Sequence, residues 1–183
     1  MDARSAAGGA EREAGRRGLS LSLAAATPDD ALAIAALRTA VAERLTRDYG
    51  PGHWSSAVSE RGVLHGLRTS RVLMARDGGR VVATLRLATK KPWAIDTTYF
   101  TACGRALYLT DMAVAPDVQR RGIGRRCLEE ARRLAREWPA DAIRLDAYDA
   151  PAGAGGFYAR CGFREVGRVT YRKTPLVYYE LLL

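Results

Sequence analysis

The chain has 183 residues, 29 of them Lys or Arg and 20 Asp or Glu, for a net charge of +9. Apolar residues at 48% and charged residues at 27% exclude a disordered chain and fit one domain that buries its own core without metals or disulfides. No run of about 18 apolar residues occurs, which excludes a membrane-spanning helix; three scattered cysteines and two histidines exclude a disulfide framework and zinc motifs, and point to reducing, cytoplasmic surroundings.

Residues 1–18 hold Ala, Gly, Arg and Glu but no large apolar residue, so they are expected to form a disordered tail ahead of a domain at 19–183. Residues 19–26 alternate as a first strand. Thr27 and Pro28 suit the cap and first position of a helix running to about Arg47. After the breaker Tyr49-Gly50-Pro51-Gly52, a second helix is expected from Trp54 to Thr69. Arg71–Arg76 and Arg80–Thr89 read as a hairpin around Asp77-Gly78-Gly79. A long loop from Lys90 to Ala106 then holds Trp93, Tyr99 and Phe100, and its length marks it as functional. Leu107–Ala115 is a strand and Gly122–Trp138 a helix whose apolar positions recur at i+3 and i+4. Ile143–Tyr148 is a further strand, a short helix carries Phe157 and Tyr158 to Gly162, and Phe163–Val169 and Leu176–Leu183 close the domain.

The basic balance points to a polyanionic ligand, and the stretch Leu109–Arg126, LTDMAVAPDVQRRGIGRR, gives it a place. A strand enters a glycine-bearing loop and then a helix whose first free amides converge, among Arg120, Arg121, Arg125 and Arg126, on a site that fits a diphosphate. A P-loop would need GxxxxGK[ST], which is absent. A dinucleotide fingerprint would need a third glycine where Cys127 stands, although Asp146 lies where a ribose-binding acid would. Cys127 and Cys161 read as packing residues, and His53 and His65 as surface or helix-packing residues.

Three segments in register carry a resemblance. Gln119-Arg120-Arg121-Gly122-Ile123-Gly124 resembles the Q/R-x-x-G-x-G/A motif of the GNAT superfamily of N-acetyltransferases. Asp111–Pro116 is similar to the strand that precedes it there, and Phe157–Phe163 to the later FYxxxGF segment; the match spans residues 20–183. The resemblance implies an α/β (α+β) GNAT fold, a mixed, mostly antiparallel sheet splayed near its centre and flanked by helices. It implies acetyl-CoA as co-substrate, no metal, and transfer of the acetyl group to a primary amine by direct attack in a ternary complex.

It also implies roles for particular residues. Met112, Ala113 and Val114 pair with the pantetheine arm, and the Val114 N–H holds the oxyanion. Gln119, Arg120, Arg121, Gly122, Ile123, Gly124, Arg125 and Arg126 form the diphosphate site, with Phe157 beside it. Tyr158 matches the usual general acid, and Asp111 is the candidate base, acting through water. Pro151 stands where relatives carry a pantetheine-binding Asn, and Asp149 takes that role after a shift.

The expected partner is a small-molecule or peptide amine, with a homodimer as an open assembly and neither nucleic acid nor membrane. A non-catalytic acyl-CoA-binding module is the alternative. The acceptor is expected against the first two helices and the 90–106 loop, with Trp93, Tyr99 and Phe100 as an aromatic wall.

Overall fold

The computed structural model describes residues 20–183, so the expected tail lies outside the described residues. One seven-stranded sheet has the order β1-β2-β3-β4-β5-β7-β6. Its strands are β1 (Leu21–Ala25), β2 (Arg71–Asp77), β3 (Arg80–Ala88), β4 (Ala106–Val114), β5 (Ala142–Tyr148), β6 (Arg164–Tyr171) and β7 (Thr174–Leu182). Every neighbouring pair is antiparallel except β4 and β5, which are parallel. The helices are α1 (Ala31–Tyr49), α2 (Glu60–Thr69), α3 (Ile123–Glu137) and α4 (Gly155–Arg160).

Val72–Ala75 of β2 and Val81–Leu85 of β3 are buried without alternation. Such runs require cover on both faces of the sheet. α1 and α2 cover the face of Val72, Thr84 and Arg86, and α3 packs against β2, β3, β4 and β5. The α3 stripe Ile123, Cys127, Ala131 and Leu134 is buried, as its spacing predicts.

The sheet opens between β4 and β5. Their ladder holds only Ala106↔Ala142, Leu107↔Ile143 and Tyr108↔Arg144. Beyond it the β3–β4 register slips, so that Leu85 alone faces both Asp111 and Met112. This is a β-bulge, and Asp111 takes a left-handed backbone there, with φ of 56°. The splayed, mostly antiparallel sheet expected from the resemblance is thus present.

Two expectations about local structure are corrected. The second helix begins at Glu60, not Trp54, because Ser59 caps it by accepting from the Gly62 N–H at 3.1 Å. Residues 54–58 are instead irregular, and the Trp54 Nε1–H donates to the Gly50 carbonyl at 3.2 Å. The 90–106 loop does not reach the opening of the sheet. Ile95 and Phe100 pack with Tyr108 and Tyr178 in a separate small core, and the Tyr178 hydroxyl donates to the Ala94 carbonyl. Arg144 and Glu180 tie Thr101 to the same face. Trp93 is 85% exposed, so the aromatic residues of this loop are its anchor and rim.

Candidate active site

Two cavities meet at the opening of the sheet. The first, of about 630 Å3, lies between the end of β4, the start of α3 and α4. The second, of about 490 Å3, lies between α1, the 53–58 segment, β4 and β5. Met112, Ala113 and Tyr158 line both. So do Val41, Leu45, Ala152 and Ala154, and of the seven shared residues only Tyr158 has an ionisable side chain.

The first cavity is built for an anion. Arg120 has φ of 62° and Gly122 φ of 80°, while Arg121 between them has no positive φ. Alternating backbone handedness turns successive amides toward one side, and Gly122 supplies the left-handed position without a Cβ penalty. The first helical bond of α3 runs from the Arg126 N–H to the Gly122 carbonyl. The amides of Ile123, Gly124 and Arg125 are therefore left without a helical acceptor, and all three residues line the cavity. Arg120, Arg125 and Arg160 line it too, and no Asp or Glu does. A Cβ on Gly124 would stand 3.0 Å from the Phe157 ring, so the absence of a side chain sets the width of the cavity there.

The end of β4 offers one more donor. The Ala115 N–H bonds to the Val82 carbonyl at 2.8 Å. By strand alternation the Val114 N–H and C=O point the other way, toward the gap left by β5. The Gln119 side chain takes the Val114 carbonyl at 3.1 Å, and the ladder with β5 does not extend to the N–H.

Tyr158 stands where the cavities join. α4 holds its ring against Phe157, Phe163 and Tyr179, with centroids 5.4, 5.7 and 6.0 Å away. Among the described residues its hydroxyl reaches only the Met112 Sδ, at 3.8 Å. Burial, with the nearby charges of Asp146 and Cys161, pushes its pKa up, so the phenol keeps its proton throughout the neutral range.

The second cavity has a different electrostatic character. Asp111 receives the Arg38 guanidinium at 2.6 Å on Oδ1 and the Arg86 Nε at 3.2 Å on Oδ2. Arg86 Nε also donates to Thr110 Oγ1 at 2.9 Å. Asp146 on β5 lines the cavity without any cationic partner among the described residues. Burial pushes its carboxyl pKa up, opposed only by its own backbone amide. Trp54 and Tyr148 form an aromatic corner, ring centroids 5.5 Å apart and nearly perpendicular.

The residues read from the sequence thus divide. Met112, Ala113, Val114, Gln119, Arg120, Gly122, Ile123, Gly124, Arg125, Phe157 and Tyr158 line the first cavity, and Asp111 lines the second. Arg121 and Arg126 are exposed outside the linings. Asp149 is also outside both, its carboxylate held by Arg168 at 2.8 and 2.9 Å. α1 lines the second cavity, but α2 does not. Cys161 lines the first cavity, and Cys127 is buried under α3, its thiol pushed up to about 11 by burial. Among the described residues no cluster of His, Cys, Asp and Glu could hold a metal ion, and no helix is long and apolar enough to cross a membrane.

Sequence reasoning missed the parts Arg38, Trp54, Asp146 and Tyr148 play here. Two signals pointed to them. Arg38 follows Ile34 and precedes Val41 and Leu45 on an apolar helix stripe. Asp146 and Tyr148 share one face of their strand with Arg144, while Ile143, Leu145 and Ala147 make the other face apolar.

The acetyltransferase (GNAT) family pattern matches residues 38–163. The chain belongs to this family. Its fold is similar to PaiA N-acetyltransferase from Thermoplasma acidophilum, solved with coenzyme A, at TM-score 0.71 and 12% identity over 90% of this chain and 100% of that one. It is also similar to YncA from Salmonella typhimurium, solved with its cofactor acetyl-CoA, at TM-score 0.66 and 18% identity over 90% and 94%. A ribosomal-protein-alanine N-acetyltransferase from Brucella melitensis matches at TM-score 0.68 and 20% identity over 88% and 99%. No curated protein matches the chain in sequence.

Proposed function

We propose that the protein transfers an acetyl group from acetyl-CoA to a primary amine by direct attack. The observation that carries this reading is the meeting of an all-cationic, amide-lined cavity with a carboxylate-bearing cavity at Met112, Ala113 and Tyr158. In this reading the amides of Ile123, Gly124 and Arg125, with Arg120 and Arg125, hold the diphosphate. The Val114 N–H donates to the thioester carbonyl oxygen as negative charge develops on it. The amine nitrogen bonds to the carbonyl carbon, the carbon–sulfur bond breaks, the Tyr158 O–H gives its proton to the departing sulfur, and the proton the nitrogen still carries returns to the Tyr158 oxygen, leaving a neutral amide and a free thiol.

The amine must first lose a proton, since an ammonium of pKa about 10 is less than about one per cent neutral at pH 7. Of the two carboxylates in the acceptor cavity, Asp146 is the better acceptor. It has no guanidinium partner and its basicity is raised by burial. Asp111, fixed between Arg38 and Arg86, has the part of holding those two side chains in place. A second reading, Asp111 as the base through water, rests on its also lining the cavity.

Calorimetry with CoA tests the donor half: binding in the micromolar to millimolar range that weakens as salt rises is expected. An absence of binding at millimolar CoA refutes it. Acetyl-CoA with amine acceptors, read as release of CoA thiol, tests transfer; binding without turnover would select the non-catalytic module. For the base, Asp146→Asn should lose kcat/KM most at neutral pH and recover toward pH 9. The same profile in Asp111→Asn, with Asp146→Asn flat, would select the second reading.

A further inference from the structure

The acceptor cavity is electrically two-sided. On its β4 side, two guanidiniums, Arg38 and Arg86, share the single carboxylate of Asp111, leaving the cluster one positive charge in excess. Arg38 lines the cavity and uses one nitrogen, Nη2, on Asp111. Its Nε and Nη1 have no acceptor among the described residues. On the β5 side, Asp146 lines the cavity beside Tyr148 with no cationic partner among the described residues. Between the two sides the wall is apolar and aromatic, from Val41, Leu45, Trp54 and Tyr148. At about 490 Å3 the cavity falls within the roughly 300–1,000 Å3 of small-molecule sites.

A ligand that displaces water here must answer both charges. A simple ammonium would satisfy Asp146 and leave the free guanidinium donors of Arg38 desolvated; a simple anion would do the reverse. Either uncompensated group weakens binding by more than its own contact would have contributed. A small molecule that carries both an ammonium and a carboxylate meets both, and a guanidinium matches a carboxylate through parallel N–H donors. A lysine side chain or a peptide N-terminus brings no such carboxylate to its amine.

We propose that the acceptor is a free α-amino acid or close analogue, its carboxylate on Arg38, its ammonium toward Asp146 and its side chain against Trp54 and Tyr148. The proposal rests on the acyl-transfer reading above.

Matched pairs test it. Phenylalanine is compared with phenethylamine, tryptophan with tryptamine, leucine with isoamylamine, and the rest of the proteinogenic set with their decarboxylated amines. Each is given with acetyl-CoA, and thiol release is read. At least one amino acid should exceed its amine by about tenfold or more in kcat/KM, the scale of one charged hydrogen-bonded contact. Arg38→Gln should remove that advantage: loosening Asp111 lowers kcat/KM on both members of a pair, but the amino acid should lose about tenfold more than the amine, and Arg38→Lys should restore part of the difference. CoA affinity by calorimetry should be unchanged in both variants, since Arg38 lies outside the donor cavity. Three results overturn the proposal: amines equal to or better than their amino acids, equal losses on both in Arg38→Gln, or no turnover of any amino acid by protein that binds acetyl-CoA. Failure to bind acetyl-CoA would bring down the acyl-transfer reading itself, and calorimetry separates the two failures.

Discussion

Tyr158→Phe separates chemistry from architecture more sharply than any other single change in this site. The residue is 7% exposed, and its ring packs on Phe157, Phe163 and Tyr179. All of those contacts survive in phenylalanine. What is lost is a hydroxyl whose one hydrogen-bonding contact among the described residues is a thioether sulfur at 3.8 Å. A well-made hydrogen bond is worth about 1 kcal/mol net, so this weak one should cost less. At roughly 2–4 °C per kcal/mol for a chain of this size, the melting temperature should move by no more than about 3 °C. Turnover should fall much further, by about 10²-fold to 10⁴-fold, the range of general acid catalysis. The assay is thiol release from acetyl-CoA on an acceptor the wild type uses, with thermal melting and CoA calorimetry on the same preparations. Because burial raises the phenol's pKa, the deficit should persist at every pH at which the wild type is active. Unchanged kcat, or a loss matched by an equal loss of CoA affinity, would show that the tyrosine only packs and that water protonates the sulfur.

Gly124→Val should weaken CoA binding by about tenfold or more in calorimetry, since even its Cβ would stand 3.0 Å and 3.3 Å from Phe157 and 3.5 Å from Met112. Asp146→Asn should leave melting at pH 7 unchanged or raised while kcat/KM at neutral pH falls. The carboxyl's folded pKa lies above its ordinary 3.8, so ionisation costs the fold stability as pH rises through that folded value. The variant escapes that cost, and its advantage in melting temperature should vanish below about pH 3.8. A lower melting temperature at pH 7 would mean that Asp146 is a structural carboxylate.

The residues of the first cavity were legible because they are local. Gly122, Gly124 and the arginines stand consecutively between one strand and one helix, so the amide geometry follows from the order of residues. The second cavity is assembled from α1, the segment after it, β4 and β5. Nothing in sequence spacing places Arg38 on Asp111, 73 residues away. Trp54 misled for a related reason: the run after Gly52 has helical composition, but the Ser59 cap restarts the helix five residues later. The closing strand pair was legible, but the position of its turn was not. Its two-residue turn is Arg172-Lys173, both at positive φ, where Asn-Gly would have announced it. The aromatic residues at 93–100 pointed to a ligand site because exposed and anchoring aromatics look alike in sequence, and only Tyr178 across the sheet distinguishes them.

One irregularity ties the two halves together. β4 must release β5 to leave the Val114 N–H free, and it must keep its pairing with β3 to hold that N–H in place. The extra residue at Asp111–Met112 reconciles the two demands. A left-handed backbone at a non-glycine residue costs roughly 1–2 kcal/mol. Asp111 is suited to that position because its carboxylate is clamped from outside the strand, by Arg38 of α1 and Arg86 of β3. The clamp has a consequence for the acceptor side. Two guanidiniums are needed to bridge the bulge to both neighbouring elements, but one carboxylate neutralises only one of them. The positive charge that remains in the acceptor cavity therefore follows from how the bulge is held. Asp146, across the opening on β5, stands on the opposite wall of the same cavity and pairs with neither guanidinium.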